Sequence, residues 1–176
     1  MRNAVKVLLT EEQIQKRVKD LAIDISRDYE GKSPILIGIL RGSFVFLSDL
    51  IRQLSISPEI DFMSVSSYNN LTKSTGVVRI LKDLERDISD ENVVIIEDIV
   101  DSGLTLAYIC RVLQARLPRS LKICALLDKR ERREIDIKVD YVGFVIPNEF
   151  VVGYGLDLAQ KYRNLPYVAV LDESEI

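Results

Sequence analysis

The spacing of apolar and polar positions changes period several times along the chain, and each change marks an element. Thr10 followed by Gln13 has the form of a capping box, and Ile14, Val18, Leu21, Ala22 and Ile25 then recur on one stripe, which predicts an amphipathic helix. Gly31-Lys32-Ser33-Pro34 breaks that period. Residues 35–40 are an unbroken apolar run of strand length, after which Phe44, Leu47, Leu50, Ile51 and Leu54 return to helical spacing. Residues 59–68 and 77–82 carry strand signals on either side of a polar, hydroxyl-rich stretch, 69–76, which is an exposed hairpin loop or a lid. Val93-Val94-Ile95-Ile96 suits a central parallel strand buried on both faces, where the pattern is continuous rather than alternating. Leu106, Ile109, Cys110, Leu113 and Leu117 then repeat at helical spacing until Pro118. Strands are predicted over 122–127, 141–146 and 167–171, with an irregular apolar segment at 150–155. Alternating strands and helices imply an α/β fold with a mainly parallel sheet, whose ligands gather outside the carboxyl ends of its strands. No repeat, linker or low-complexity tract interrupts the pattern, so residues 1–176 are expected to form one domain.

Composition narrows the chemistry more than the fold. A net charge of −3 provides no global field to draw the protein to nucleic acid or to anionic lipid, so local basic clusters must do any anion binding. No apolar run reaches membrane-spanning length and no signal-peptide pattern opens the chain. Cys110 and Cys124 both read as buried small hydrophobes, which favours the reducing cytoplasm. The chain has no histidine, which removes the commonest general base and metal ligand and makes a zinc site improbable. Carboxylates, lysines, hydroxyls or the backbone must carry the chemistry.

Those groups concentrate after the central strand. Glu97 and Asp98 stand at its end, Asp101-Ser102-Gly103 is a turn cluster, and a helix is predicted to begin near residues 102–105. Unpaired N–H groups, the helix dipole and the hydroxyls of Ser102 and Thr105 make an anion cradle there. Carboxylates beside a phosphate repel it unless a cation or sugar hydroxyls lie between, so the combination points to Mg²⁺ and a phosphorylated sugar. The plainer reading of Glu97 and Asp98 alone is that they cap the next helix. Arg41-Gly42-Ser43, between a strand and a helix, is a second candidate anion loop or an ordinary βα turn. Residues 130–134 read as a solvated charged run.

The string from Val93 to Thr105 resembles the phosphoribosyl-pyrophosphate (PRPP) motif of type I phosphoribosyltransferases, an apolar strand, two acidic residues, a spacer and Asp-Ser/Thr-Gly-x-Thr. Leu40-Arg41-Gly42-Ser43, Ser67-Tyr68, Asp128-Lys129-Arg130, residues 150–157 and Tyr162-Arg163 extend the likeness to the bacterial hypoxanthine-guanine branch of that family, in family order. The resemblance implies a parallel sheet flanked by helices with a small base-binding hood. It also implies transfer of ribose 5-phosphate from PRPP to a 6-oxopurine, giving IMP or GMP and pyrophosphate, with Mg²⁺ as cofactor. By the same resemblance Ser102, Gly103, Leu104 and Thr105 hold the 5-phosphate, and Glu97 and Asp98 face the ribose hydroxyls and Mg²⁺. Arg41, Gly42 and Arg163 contact pyrophosphate, and Asp157, counted also among the purine-binding residues, coordinates Mg²⁺ directly or through water. Lys129 meets the purine O6, Phe150 stacks on the ring, Val151 offers its main chain, and Asp101 is the general acid/base at N7. Ser67 and Tyr68 open a lid over residues 67–76. A homodimer or homotetramer in the cytoplasm is implied, without nucleic acid or membrane.

Each assignment has a plainer counterpart: Lys129 flanking a solvated run, Phe150 in the core, Asp101 as a cap only. Arg41 stands where relatives often have Lys. A phosphoribosyltransferase for xanthine or a pyrimidine is the nearer rival function. A PRPP-binding nucleic-acid regulator is the more distant one, since it needs an extended basic face.

Overall fold

The computed structural model describes residues 6–70 and 73–171, without the side chains of 67–70 and 73–77. Its elements run β1 (Lys6–Leu9), α1 (Glu11–Asp28), β2 (Ile35–Leu40), α2 (Phe44–Gln53), β3 (Glu59–Asn70), β4 (Lys73–Lys82), β5 (Asn92–Val100) and α3 (Leu104–Gln114). They continue with β6 (Ser120–Asp128), a 3-10 turn (Arg130–Arg132), β7 (Tyr141–Val145), β8 (Val151–Val152) and β9 (Val168–Val170). One sheet has the order β4-β3-β2-β5-β6-β7 and the other β1-β9-β8. In the larger sheet only the β3–β4 pair is antiparallel; β2, β3, β5, β6 and β7 run parallel. The smaller sheet is antiparallel throughout.

The central strands divide their side chains between two cores, as a parallel sheet covered on both faces requires. Leu36, Val94, Ile96, Cys124 and Leu126 pack with α1 and α2, while Ile35, Ile37, Val93, Ile95, Ile123 and Ala125 pack with α3. Val93 to Ile96 are fully buried. The Thr10 and Gln13 box closes reciprocally at the start of α1, and the five expected apolar positions of that helix are all buried. No helix among the described residues is long and apolar enough to cross a membrane.

Three details differ from the pattern in the sequence. Helix α3 ends at Gln114, and Leu117 lies outside it with φ 56° and 73% exposure, so the last position of the predicted stripe is not a core position. Pro118 cannot continue a helix and disfavours helical geometry in the residue before it, which ends the helix early. Asn69, Asn70 and residues 73–76 belong to strands rather than to a loop: β3 and β4 pair on to Asn69↔Ser74 and Asn70↔Lys73, because ribbon pairing uses main-chain groups and needs no apolar pattern. The third is the segment 130–134, in which Arg133 is largely buried and ion-paired to Asp128 rather than solvated.

Candidate active site

The carboxyl ends of β2 and β5 face a cleft of about 250 Å³, lined by Arg41, Gly42, Glu97, Asp98, Asp101, Ser102, Gly103 and Thr105 among others. Two connections shape it. After β5, Gly103 adopts φ 85° and serves as the N-cap position of α3. The Ser102 hydroxyl accepts from Leu104 N–H at 3.3 Å, and the first intrahelical bond runs from Ala107 N–H to Gly103. The N–H groups of Thr105 and Leu106 therefore lie ahead of the helical ladder, where an anion is favoured. A Cβ on Gly103 would meet Arg133 Cδ at 3.0 Å and the Ile135 carbonyl oxygen at 3.3 Å, so a side chain would disturb the turn itself as well as a ligand's approach.

After β2, the chain turns through a cis Leu40-Arg41 peptide. A Cβ on Gly42 would overlap the Asp98 carboxylate, and one on Gly155 would overlap the Gly42 carbonyl. The loop is thus pressed between β5 and the segment after β8, a fit open only to backbone. The buried Ser43 hydroxyl donates to the Ile39 carbonyl at 2.7 Å, so its proton is not free for an anion. Arg41 Nη1 and Arg163 Nη2 both donate to Gln160 Oε1, at 2.8 and 3.1 Å, while Arg163 Nη1 donates to Gly155 O at 2.7 Å. One amide thus gathers two guanidinium groups near Gly42.

Charge in the cleft is unbalanced. Burial pushes the Asp98 carboxyl up to about 6, against the lowering effect of its own and the Ile99 N–H groups and of Arg163. Burial pushes Glu97 well above the carboxylate range, and the Asp98 charge adds to the effect. Glu97, Asp98 and Asp157 do not converge as a set of three ligands, and no group of three metal-binding side chains occurs among the described residues. Asp157 is engaged elsewhere: Oδ1 pairs with Arg163 at 2.7 Å and Oδ2 accepts from Gln160 N–H at 2.8 Å.

Asp101 lines the same cleft, with Oδ2 3.3 Å from Arg132 Nη1 and Oδ1 buried without a hydrogen-bond partner. Lys129 is buried, which rules out the solvated reading; burial lowers its pKa, and the Asp101 charge opposes that shift. Phe150 is 37% exposed, so its ring is not in the core, whereas Val151 is buried in β8. Lys129, Phe150, Val151, Asp157 and Arg163 do not line the cleft itself. The side chains of Ser67 and Tyr68 lie outside the described residues. β3 does continue past its last pair with β2, Leu40↔Ser64, and Val65 lines the cleft.

Sequence reasoning missed Gln160, Arg132 and Arg133. The last two sat in a charged run with nothing to single them out. Gln160 carried no signal either, since φ values of 49°, 67° and 75° at Ala159, Gln160 and Tyr162 are uncommon for such residues.

A mainly parallel α/β sheet thus carries, at one carboxyl edge, a glycine-shaped helix N-terminus and a buried acidic pair in one cleft. Residues 4–159 match the phosphoribosyl transferase domain family, and the chain belongs to that family. It is 51% identical over 166 residues to the hypoxanthine-guanine phosphoribosyltransferase of Bacillus subtilis (strain 168), covering 94% of this chain and 92% of that one. It is 48% identical over 178 residues to the hypoxanthine phosphoribosyltransferase of Escherichia coli (strain K12), covering 98% and 100%. The crystal structure of a hypoxanthine phosphoribosyltransferase from Staphylococcus aureus superposes with a TM-score of 0.93 at 51% identity, covering 97% of this chain and 92% of that one.

Proposed function

We propose that this chain is a purine salvage enzyme that transfers the 5-phosphoribosyl group of PRPP to hypoxanthine and guanine, giving IMP or GMP and pyrophosphate. The observation that carries the reading is the single cleft in which Gly103 frees a helix N-terminus, Gly42 presses against Asp98, and burial raises the proton affinity of two carboxylates. Of the relatives of about 50% identity over nearly the whole chain, one is named for hypoxanthine and guanine and another for hypoxanthine. Residues 1–176 act as one phosphoribosyltransferase domain.

The 5-phosphate sits on residues 102–105, and the ribose hydroxyls meet Glu97 and Asp98. Mg²⁺, when bound, supplies the charge that lets pyrophosphate lie beside those carboxylates. The residues fit that role, since a buried acidic pair with raised proton affinity gains from a cation. Arg41, the Gly42 main chain and Arg163 receive the leaving pyrophosphate, with Gln160 keeping the two guanidinium groups together. Asp157 orients Arg163 and would help to hold Mg²⁺, directly or through water. Lys129 recognises O6, Phe150 offers its exposed ring to the purine, and the Val151 main chain meets the base edge. As the anomeric C–O bond breaks and the bond to the purine nitrogen forms, the N7 proton passes to Asp101. The β3–β4 hairpin, with Ser67 and Tyr68, closes over the cleft and keeps water from the oxocarbenium-like centre. The free cysteines suit a cytoplasmic enzyme, and a homo-oligomer is the expected assembly.

Free hypoxanthine, guanine, xanthine and pyrimidine bases, each incubated with PRPP and Mg²⁺, test the reading by chromatography of the nucleotide product. IMP and GMP are expected. Product with xanthine or a pyrimidine alone would overturn the assignment of the base.

A further inference from the structure

We propose that Arg132 is a positioning residue for Asp101, setting the carboxylate at the angle needed to take the N7 proton. The inference rests on the acid/base role of Asp101 given above. Arg132 Nη1 lies 3.3 Å from Asp101 Oδ2, with the arginine side chain 52% exposed and the aspartate 42%. A pair this exposed adds little to stability, so its use lies in geometry.

The geometry is well supported from behind. Lys129 N–H donates to Val100 O at 2.9 Å, Arg132 N–H to Lys129 O at 3.2 Å, and Glu134 N–H to Ser102 O at 2.9 Å. Arg133 pairs with Asp128, donates to the Ile137 carbonyl at 3.2 Å and packs beneath Gly103. The backbone on both sides of Arg132 is therefore tied to the strand end and turn that carry Asp101. A carboxylate oxygen buried without a donor, like Oδ1, has no hydrogen bond of its own to fix the plane of the group. The guanidinium on Oδ2 supplies that constraint and keeps a cation beside the carboxylate when a phosphate occupies residues 102–105. Arg132 touches neither substrate nor reacting atoms in this scheme.

A double-mutant cycle with Arg132→Gln and Asp101→Asn, read by single-turnover kinetics and by calorimetric PRPP binding, tests it. Arg132→Gln should lower the rate of nucleotide formation by about 10-fold or more while leaving PRPP affinity within about twofold. Added to Asp101→Asn, the same change should cost almost nothing further, because there is no ionised carboxylate left to orient. Equal losses in both backgrounds, or a loss confined to PRPP binding, would overturn the role of Arg132 and leave the role of Asp101 standing. A fully active Asp101→Asn would remove both.

Discussion

The two ends of the central sheet treat buried and half-buried charge in opposite ways. At the amino end, Lys122 of β6 donates to Asp28 Oδ2 and to the Tyr141 hydroxyl, each at 3.0 Å, and that hydroxyl donates to the same aspartate oxygen at 2.6 Å. The ammonium also lies 5.4 and 5.2 Å from the ring centres of Tyr29 and Tyr141. The Tyr141 hydroxyl first, then Lys122, holds the Asp28 carboxyl below its ordinary range. At the carboxyl end, burial pushes both Glu97 and Asp98 upward, and the Asp98 charge adds to the shift of Glu97. One cluster closes its charge balance within the chain and ties α1 to β6 and β7. The other leaves the balance open, which costs stability and selects a ligand that restores it.

Breaking the open end should have the largest effect. Gly42→Ala places a methyl group on the Asp98 carboxylate, so either that carboxylate or the loop must leave its position in the cleft. A displacement of about 1 Å at a reacting centre costs about 100-fold in turnover. Steady-state kinetics should show that loss, with the melting temperature nearly unchanged because the Lys122 cluster is untouched. Turnover within about twofold of wild type would mean that the tight approach of Gly42 to Asp98 has no catalytic use.

Legibility in the sequence follows the same division between local and long-range structure. The capping box, the two buried strand runs and the Glu97 to Thr105 string are contiguous, and each acts through its own neighbours, so pattern reading reached them. Lys122, Asp28 and Tyr141 come from three elements and share no linear signal. Gln160 reaches Arg41 across 119 positions through a loop with positive φ at non-glycine residues. Arg132 and Arg133 were hidden because a charged run has the same composition whether it is solvated or folded against a turn. The two strands of the β3–β4 hairpin were expected, but their ends beyond 68 and before 77 were read as an exposed hairpin loop or a lid because the pairing there lies in the main chain.

The opposite shifts also give the two ends opposite pH dependence. A carboxyl with a raised folded-state pKa stabilises the fold below the unfolded value of about 4 and loses that contribution as pH rises through its folded value, about 6 for Asp98. Asp28, held low, contributes above about 4 and loses its contribution as pH falls through the lowered value. Asp98→Asn, free of ligand and in chelator, should therefore melt above wild type at pH 7.5 by a few degrees, at about 2–4 °C per kcal/mol. The gap should shrink toward pH 5, where the wild-type carboxyl is already protonated. An equal gap at both values would mean that the acidic pair carries no uncompensated charge.

The smallest effect belongs to the closed end. Tyr141→Phe keeps the ring that faces Lys122 but removes the hydroxyl that both accepts from that lysine and donates to Asp28. The direct Lys122 to Asp28 contact at 3.0 Å remains, so one shared link in the triangle is lost rather than the whole pairing. A hydrogen bond to a partly exposed charged group is worth about 1 kcal/mol here, which corresponds to a fall of about 2–4 °C in melting temperature. The acid limb of stability should also weaken, because Tyr141 is the largest cause of the low Asp28 value. Turnover and PRPP affinity should not change, since the hydroxyl lies at the amino end of the sheet and the cleft at the carboxyl end. Thermal melts at pH 4 and pH 7 alongside kinetics separate these outcomes. A Tyr141→Phe variant that kept its stability but lost turnover would show that the two ends act as one unit, and the division between a closed stabilising cluster and an open binding one would not hold.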